Sequence, residues 1–214
     1  MTNWRVPTSL SQIVDPARTA LIVWDMQVGI GANAHNRDSL VATLQTLLAA
    51  ARKAGVLIVW SQHIAPPLEF TPRVGLWNLM RRQGVSDVER VKPTMQRGTP
   101  DVEFLSGLSP AAGDLRLEKA TPSFFVGTPL EQRLRARDIE TLVLTGVATE
   151  QGIELTARHA MTLGFFAAVV EDAVGSLSAE GHQVGLAALR KTTYVVAARE
   201  VIEAWGQTEG SGAS

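Results

Sequence analysis

The 214-residue sequence contains no cysteine. This absence excludes disulfide bonds, thiolate metal ligands and a thiol nucleophile together. Histidine is also scarce, and no two of the four imidazoles stand at a spacing such as i, i+4 that is typical of a zinc site. The histidines are His35, His63, His159 and His182. We therefore expect neither a protein-bound metal nor a cofactor.

Charge of either sign is sparse and nearly balanced. There are 20 Lys and Arg against 21 Asp and Glu, a net charge of −1, and no basic run. Nucleic-acid binding needs clustered Lys and Arg, so we expect no nucleic-acid partner. No apolar stretch approaches the roughly 18 residues needed to span a membrane. The first residues also lack the basic start and apolar core of a signal peptide. These features predict a cytoplasmic protein without a membrane segment.

The sequence does contain a regular alternation of apolar runs and amphipathic stretches. The apolar runs predict buried strands over 19–25, 56–62, 115–119, 141–146, 165–172 and 193–198. The amphipathic stretches predict helices over 37–55, 75–84, 129–138, 149–164, 178–191 and 199–206. Because parallel strands need helical crossovers, this alternation predicts a single-domain α/β fold, a Rossmann-like six-stranded parallel sheet with helices on both faces.

We assign residues 1–206 to this domain and residues 207–214, "QTEGSGAS", to a flexible tail. The segment 63–114 is rich in Pro, Gly and charge. Long segments of this kind in compact domains are usually functional, so we expect it to build part of a site.

Ligands of open parallel sheets bind at the carboxyl ends of the strands. Asp25 ends the first predicted strand, 61–63 ends or follows the second, Lys119 ends the third and 145–152 ends or follows the fourth. We expect these residues to meet in one cleft, with backbone N–H donors from a helix start. Each also has a purely structural interpretation: a turn residue for Asp25, a solvated side chain for Lys119, and a glycine merely tolerated in the helix for Gly152.

Aromatic side chains accompany the predicted cleft. Trp77 lies in the long segment, and Phe125 follows the lysine strand in "PSFF". Both are candidate substrate contacts, as is His63, although aromatic residues in such positions more often belong to the core and His63 could only line a loop. Loops rich in aromatic residues favour a mostly apolar, neutral small-molecule substrate, and they also suit contacts between subunits.

Three stretches in a fixed order carry a family resemblance. "ALIVWDMQ", "LEKATPSFF" and "VLTGVATEQGIELTARHA" resemble the isochorismatase-like hydrolase superfamily, over about residues 17–203. The resemblance implies a six-stranded parallel sheet and a homodimer or homotetramer. It also implies a non-proline cis peptide between Val147 and Ala148, which would turn backbone N–H groups towards bound substrate.

The cysteine hydrolases of this superfamily use an Asp, a Lys and a Cys, and the matching positions here are Asp25, Lys119 and Gly152. Glycine has no sulfur, so the covalent route through a thiolate is closed. Thr145 and Thr149 are nearby hydroxyls, but neither aligns with the nucleophile position, and a threonine needs an activating base.

The isochorismatase branch of the superfamily carries Gly at this position and hydrolyses a vinyl ether without a nucleophilic residue. The resemblance then implies that Asp25 is a general acid that protonates the enol-ether carbon, after which water captures the oxocarbenium ion. A low-dielectric cleft favours the neutral carboxyl that this step needs. Lys119 would orient that carboxyl or bind an anionic substrate, and Gly152 would leave room for substrate or water.

Two features depart from that branch. The second strand ends in "WSQHIAPP", whereas the isochorismatase branch has a stretch similar to "TAQP" there. By register, His63 and not Gln62 falls nearest the glutamine of that branch. The arginines expected to hold the two carboxylates of isochorismate are not clearly placed in the sequence. Arg73, Arg81 and Arg82 are only candidates. Both departures argue against isochorismate itself.

Three hypotheses remain open from the sequence. The first is a cysteine-free hydrolase in which Asp25 performs acid–base chemistry on a small molecule. The second is an amide or ureide hydrolase whose nucleophile at 152 is lost or replaced. The third is a binding protein that keeps the cleft without catalysis.

Overall fold

Six strands run through residues 6–207, the part of the chain that the computed structural model describes. They are β1 (Thr19–Trp24), β2 (Leu57–His63), β3 (Leu115–Lys119), β4 (Thr141–Val147), β5 (Phe166–Gly175) and β6 (Tyr194–Val196). All neighbouring strands are parallel, and their order across the sheet is β3-β2-β1-β4-β5-β6. The predicted α/β fold with a six-stranded parallel sheet is confirmed.

Eight α-helices accompany the strands within the same described residues. They are α1 (Leu10–Ile13), α2 (Val28–Gly31), α3 (Arg37–Lys53), α4 (Arg73–Gln83), α5 (Leu130–Arg135), α6 (Glu154–Thr162), α7 (Ala179–Leu189) and α8 (Ala198–Gln207). The helix predicted over 149–164 begins instead with a π-helical turn, Thr149–Ile153, before α6. None of these helices is long and apolar enough to cross a membrane.

The helices cover both faces of the sheet, as predicted. One core joins α3 and α8 to one face, through side chains such as Leu44 and Val201. A second core joins α5, α6 and α7 to the other face, through side chains such as Leu134 and Ala157. All six residues of β1 are buried. Strands covered on both faces must be apolar throughout, and this explains why they appear in the sequence as continuous apolar runs.

The predicted tail begins at the end of this layered structure. Gln207, its first residue, is still the last residue of α8. Residues 208–214 lie outside the described residues, so the tail stays a prediction.

The sheet changes its winding direction between β1 and β4. From β1 the chain moves outward to β2 and β3, and then it returns to β4 on the other side of β1. Such a switch point opens a crevice at the carboxyl ends of the two strands, where ligands of this fold class bind.

The long segment between β2 and β3 is fastened to this crevice by Gln27. Its side-chain amide donates to the carbonyl oxygens of His63 (3.1 Å) and Val102 (2.9 Å), and its Oε1 accepts the His63 N–H (2.7 Å). Gln27 is fully buried. One side chain thus ties the start of the chain after β1 to the end of β2 and to the long segment, which supports the prediction that this segment builds part of a site.

Gly146 fixes how closely β1 and β4 approach at their carboxyl ends. It pairs with Trp24 in the strand register and has a φ of +106°. A Cβ at this position would lie 2.8 Å from the backbone N and C of Trp24 and still nearer to its carbonyl oxygen. Backbone atoms of a central strand cannot move aside, so glycine is required here for both reasons.

We expect Gly146→Ala to lower the free energy of unfolding by more than about 3 kcal/mol, because backbone overlap adds to the cost of positive φ. Gly55→Ala is the matched control, since Gly55 also has a positive φ but a Cβ there meets nothing within 4 Å. That control isolates the φ cost, about 1–2 kcal/mol. Urea unfolding measures the stability of both variants. Equal losses in the free energy of unfolding would contradict the packing argument.

Candidate active site

A buried acid–lysine pair lies at the carboxyl edge of the sheet. Lys119, the last residue of β3, donates from Nζ to Oδ2 of Asp25 over 2.6 Å. Ser61 of β2 donates from Oγ to Oδ1 over 2.5 Å, and it accepts the Asp25 backbone N–H over 2.9 Å. The side chains of Asp25 and Lys119 are only 7% and 2% exposed. Both carboxyl oxygens therefore have a donor, and the carboxyl group is fixed in one orientation.

The backbone at Asp25 contributes to this geometry. Its φ is +46°, in the left-handed region that Asp and Asn adopt more readily than most residues. Its carbonyl oxygen accepts the Gln27 N–H over 2.8 Å. This tight turn ends β1 and keeps the Asp25 carboxyl within reach of the side chains from β2 and β3.

The space into which a side chain at Gly152 would project is filled, and whether the glycine leaves room for substrate or water stays a prediction. A Cβ on Gly152 would lie 2.5 Å from Cε2 and 2.6 Å from Cζ2 of the Trp24 indole, and nearer still to its Nε1. Real Cβ contacts are almost never below 3.0 Å. The glycine is therefore the complement of a large neighbouring ring.

Trp24 also contacts the acid–lysine pair. Lys119 Nζ lies 4.2 Å from the centroid of the indole ring, within the range of a cation–π interaction. The ring is held from another side by Phe124, in an edge-to-face contact with centroids 5.4 Å apart. Trp24 is 1% exposed. The indole thus forms a rigid wall between Gly152 and Lys119.

The turn after β4 has the predicted form. The peptide between Val147 and Ala148 is cis. The Ala148 carbonyl oxygen accepts the N–H groups of Gln151 and Ile153, both over 3.2 Å, and these bonds open the π-helical turn that contains Gly152. The expected sharp turn with a helix start at the edge of the cleft is present.

The two threonine hydroxyls near this turn are committed to structural bonds. Thr145 donates to the Ile22 carbonyl oxygen, and Thr149 donates to that of Gly175. Thr149 also pairs with His182 Nδ1 over 2.9 Å. Both threonines are fully buried. Neither hydroxyl is free to act as a nucleophile, in agreement with the sequence argument.

His63 ends β2 and pairs with Lys119 in the strand register. Burial lowers the pKa of His63 to about 4, and the nearby Lys119 ammonium lowers it further while Asp25 opposes the shift. The imidazole is therefore neutral at pH 7. The structure places His63 beside the acid–lysine pair, as the sequence predicted.

Gln62, the neighbour of His63, is engaged elsewhere. Its Oε1 accepts from Arg116 Nε over 2.8 Å, and its Nε2 donates to the Val102 carbonyl oxygen over 2.8 Å. The side chain that ends the second strand beside the cleft is therefore His63, as the sequence register indicated.

The two predicted aromatic contacts have other neighbours. Trp77 of α4 is 55% exposed, and the Arg81 guanidinium lies 4.8 Å from its ring centroid. Phe125 packs on His159 and Phe165, with ring centroids 5.1 and 5.9 Å apart. None of these ring contacts involves Asp25 or Lys119. Their part in substrate binding stays a prediction.

A cavity of about 520 Å³ has Lys119 among its lining residues, but Asp25 does not line it. One side is apolar and is formed by residues 64–67. Another side carries Arg97 and Glu118, which form a bidentate ion pair. The Arg97 guanidinium holds the pKa of Glu118 below its usual range. The charges that line this cavity are thus paired with one another or, for Lys119, with Asp25.

Sequence reasoning missed two members of the site. In the sequence Ser61 is only part of the strand end at 61–63, and Trp24 is not among the candidate site residues. The signal for Ser61 is a polar residue within a buried strand near its carboxyl end. Trp24 stands directly before Asp25 in an otherwise aliphatic strand. Within residues 6–207, no group of three or more His, Asp or Glu residues is arranged to hold a metal ion.

The sheet order and the buried acid–lysine pair define a class of α/β proteins with a ligand crevice at the switch point. Residues 19–201 match the family described as Isochorismatase domain, and the chain belongs to this family of hydrolases.

Solved structures with the same fold include a cysteine hydrolase from Pseudomonas syringae pv. phaseolicola, with 27% identity, a TM-score of 0.78, and coverage of 97% of this chain and 99% of that one. An isochorismatase family protein from Burkholderia thailandensis has 26% identity, a TM-score of 0.71, and coverage of 89% and 96%. A nicotinamidase from Bacillus subtilis has 25% identity, a TM-score of 0.71, and coverage of 84% and 99%.

We expect Gly152→Ala to destabilise the protein by about 1–3 kcal/mol, because the added methyl overpacks against the Trp24 ring. Gly206→Ala in α8 is the control, since a Cβ there meets nothing within 4 Å, and alanine is favoured over glycine in helices. Thermal and urea unfolding measure the difference. A neutral Gly152→Ala would show that the indole can move aside at little cost.

The imidazole of His63 should titrate near pH 4 in the folded protein, against about 6.5 when unfolded. Between these values only the unfolded chain binds this proton, so the free energy of unfolding should fall as the pH is lowered from 6.5 to 4. His63→Gln should remove that part of the pH dependence. NMR titration and urea unfolding at several pH values test this, and a folded-state midpoint near 6.5 would refute it.

Proposed function

We propose that this protein hydrolyses a small neutral molecule with water as the attacking group and Asp25 as the group that transfers the proton, without a covalent enzyme intermediate. One observation carries the proposal. The indole of Trp24 fills the volume into which a side chain at 152 would project, while the cluster of Asp25, Lys119 and Ser61 is complete.

The resemblance to the isochorismatase branch favours a vinyl ether as the reacting group. The Asp25 carboxylate of the ion pair takes up a proton from solvent before the reaction begins. In the first step the resulting carboxyl gives this proton to the terminal carbon of the double bond, and the π electrons form the new C–H bond. The ether oxygen stabilises the resulting oxocarbenium ion. Water then adds to the cationic carbon and returns a proton to the Asp25 carboxylate. The hemiketal that forms collapses to a carbonyl compound and an alcohol, and Asp25 ends as it began.

Lys119 and Ser61 assist the first step by what they do to the carboxyl group. Each donates a hydrogen bond to one of its oxygens. Hydrogen bonds from donors favour the ionised form, so they oppose the initial protonation of Asp25 but stabilise the carboxylate that remains after the proton has left. The same two bonds hold the group in a single orientation, which reduces the reorganisation that proton transfer requires.

The charge pattern of the cavity supports a neutral substrate. Arg97 is paired with Glu118, and Lys119 with Asp25, so neither cation is free to hold a substrate carboxylate. Of the arginine candidates from the sequence, Arg81 stacks on Trp77, whereas the Arg82 charge lies near enough to His63 to lower the pKa of its imidazole. The apolar side formed by residues 64–67 suits an uncharged molecule.

The lost-nucleophile hypothesis is weakened by the same packing. Restoring a cysteine at 152 alone would place its Cβ in overlap with Trp24. An ancestral or engineered loss of the thiol would therefore need a second change in β1 to account for this site.

We expect Asp25→Asn to lower kcat by at least about 10²-fold, the usual contribution of general acid–base catalysis. Asparagine tolerates left-handed backbone as aspartate does, so the fold should be kept. Asp138→Asn is the matched control, because Asp138 also has a positive φ (51°) but is exposed on the surface. The assay is a panel of vinyl ethers, amides and ureides.

A single turnover in ¹⁸O-labelled water completes the test. We expect the label in the product and none in the protein, with no protein adduct by mass spectrometry. Full activity of Asp25→Asn, or a covalent adduct on the native protein, would disprove the proposed mechanism.

A further inference from the structure

Trp24 joins the hydrophobic core to the site through two different parts of one side chain. Its edge abuts Gly152, and its face lies under the Lys119 ammonium. The residue is 1% exposed and belongs to the core between the sheet and α5, α6 and α7. A side chain in this position affects both what position 152 can hold and where the ammonium lies.

The edge contact makes positions 24 and 152 interdependent. A Cβ at 152 would lie 2.5–2.6 Å from two ring carbons of the indole. The indole cannot tilt away freely, because Phe124 packs edge-to-face against it at 5.4 Å. A tryptophan at 24 therefore disfavours any side chain at 152, and a side chain at 152 fits better beside a smaller residue at 24.

The face contact concerns the charge of Lys119. The ammonium is buried, and it has the Asp25 carboxyl on one side at 2.6 Å and the indole face on another, with its centroid at 4.2 Å. A buried ammonium without such neighbours is strongly disfavoured. The negative π face of the indole thus helps to keep Lys119 charged and directed at Asp25.

We propose that Trp24 is a positioning residue that determines the reaction type of this site: its face holds Lys119 against Asp25, and its edge excludes a nucleophilic side chain at 152. The role of the face rests on the proposed function, since it acts through the proton-transferring Asp25. The role of the edge is a property of the folded protein, and it can be measured without a substrate.

The edge is tested with a thiol introduced by Gly152→Cys, which becomes the protein's only thiol because the native chain has no cysteine. We expect this variant to unfold at lower urea concentration than the native protein. Trp24→Val should lower the free energy of unfolding less in the Gly152→Cys background than in the native protein. A double-mutant cycle measures this coupling. Trp60→Val is the control, because Trp60 is equally buried but packs in the other core, and its cost should simply add. Additive costs for Trp24→Val as well would overturn the edge role.

The same double variant reports whether the vacated volume adjoins Lys119. Alkylation by iodoacetamide joins the sulfur to the methylene carbon as iodide leaves and the thiol proton passes to solvent. We expect the alkylation rate to rise with pH. The midpoint of this rise should lie below the ordinary thiol pKa of about 8.5, because the neighbouring ammonium stabilises the thiolate. Lys119→Met in this background should return the midpoint to the ordinary range. A midpoint that Lys119→Met does not change would contradict the proposed geometry.

The face is tested by the pH profile of kcat/KM for the panel member that the native protein hydrolyses fastest. Trp24→Leu should move the basic limb of the profile to higher pH, because a Lys119 ammonium that is held less firmly stabilises the Asp25 carboxylate less, and Asp25 then keeps the proton that it donates to a higher pH. Trp24→Phe, which keeps a ring face, should leave that limb in place whatever its rate. Identical limbs in all three proteins would overturn the face role. The thiol experiments need no substrate, so their outcome stands apart from whether Asp25→Asn upholds the proposed function.

Discussion

The buried ion pair between Asp25 and Lys119 is the interaction on which the rest of the site depends. Removing two charges from water is costly, and their mutual attraction compensates only when further hydrogen bonds are present. Here Ser61 supplies one such bond and the Trp24 face supplies a cation–π contact. These partners come from three neighbouring strands, so the pair exists only where β1, β2 and β3 end at a common level. The strand register is thus a condition for the chemistry.

The same constraint links the core to the site. Trp24 packs among the apolar side chains beneath the cleft and also touches Lys119. Gly146 and Gly152, both from the segment around the end of β4, leave space for its backbone and its ring respectively. A protein interior is packed too densely for one of these residues to change without the others. The missing side chain at 152 is therefore part of a packing solution as well as of a reaction mechanism.

Relatives with the same fold include a cysteine hydrolase and a nicotinamidase, yet this chain has no thiol anywhere. A shared fold positions strand ends, and the side chains at those ends decide the reaction. In this chain the Asp and Lys positions of the family pattern are filled and brought together, while the third position is closed by an indole. The proposed use of water follows from that local difference and not from the architecture.

The sequence by itself determined the layered architecture, because strands buried on both faces and helices with one apolar stripe leave a pattern that short windows reveal. It also determined the candidates Asp25, Lys119 and His63, since the carboxyl ends of parallel strands are marked by where apolar runs stop. Only the tertiary structure decided the role of Trp24, which looks like any core residue until β4 brings Gly152 against its edge. It likewise decided that Trp77 and Phe125 pack against other residues. Periodicity records which side of an element is buried, but contacts between residues more than a hundred positions apart depend on register and loop path, which no local pattern contains.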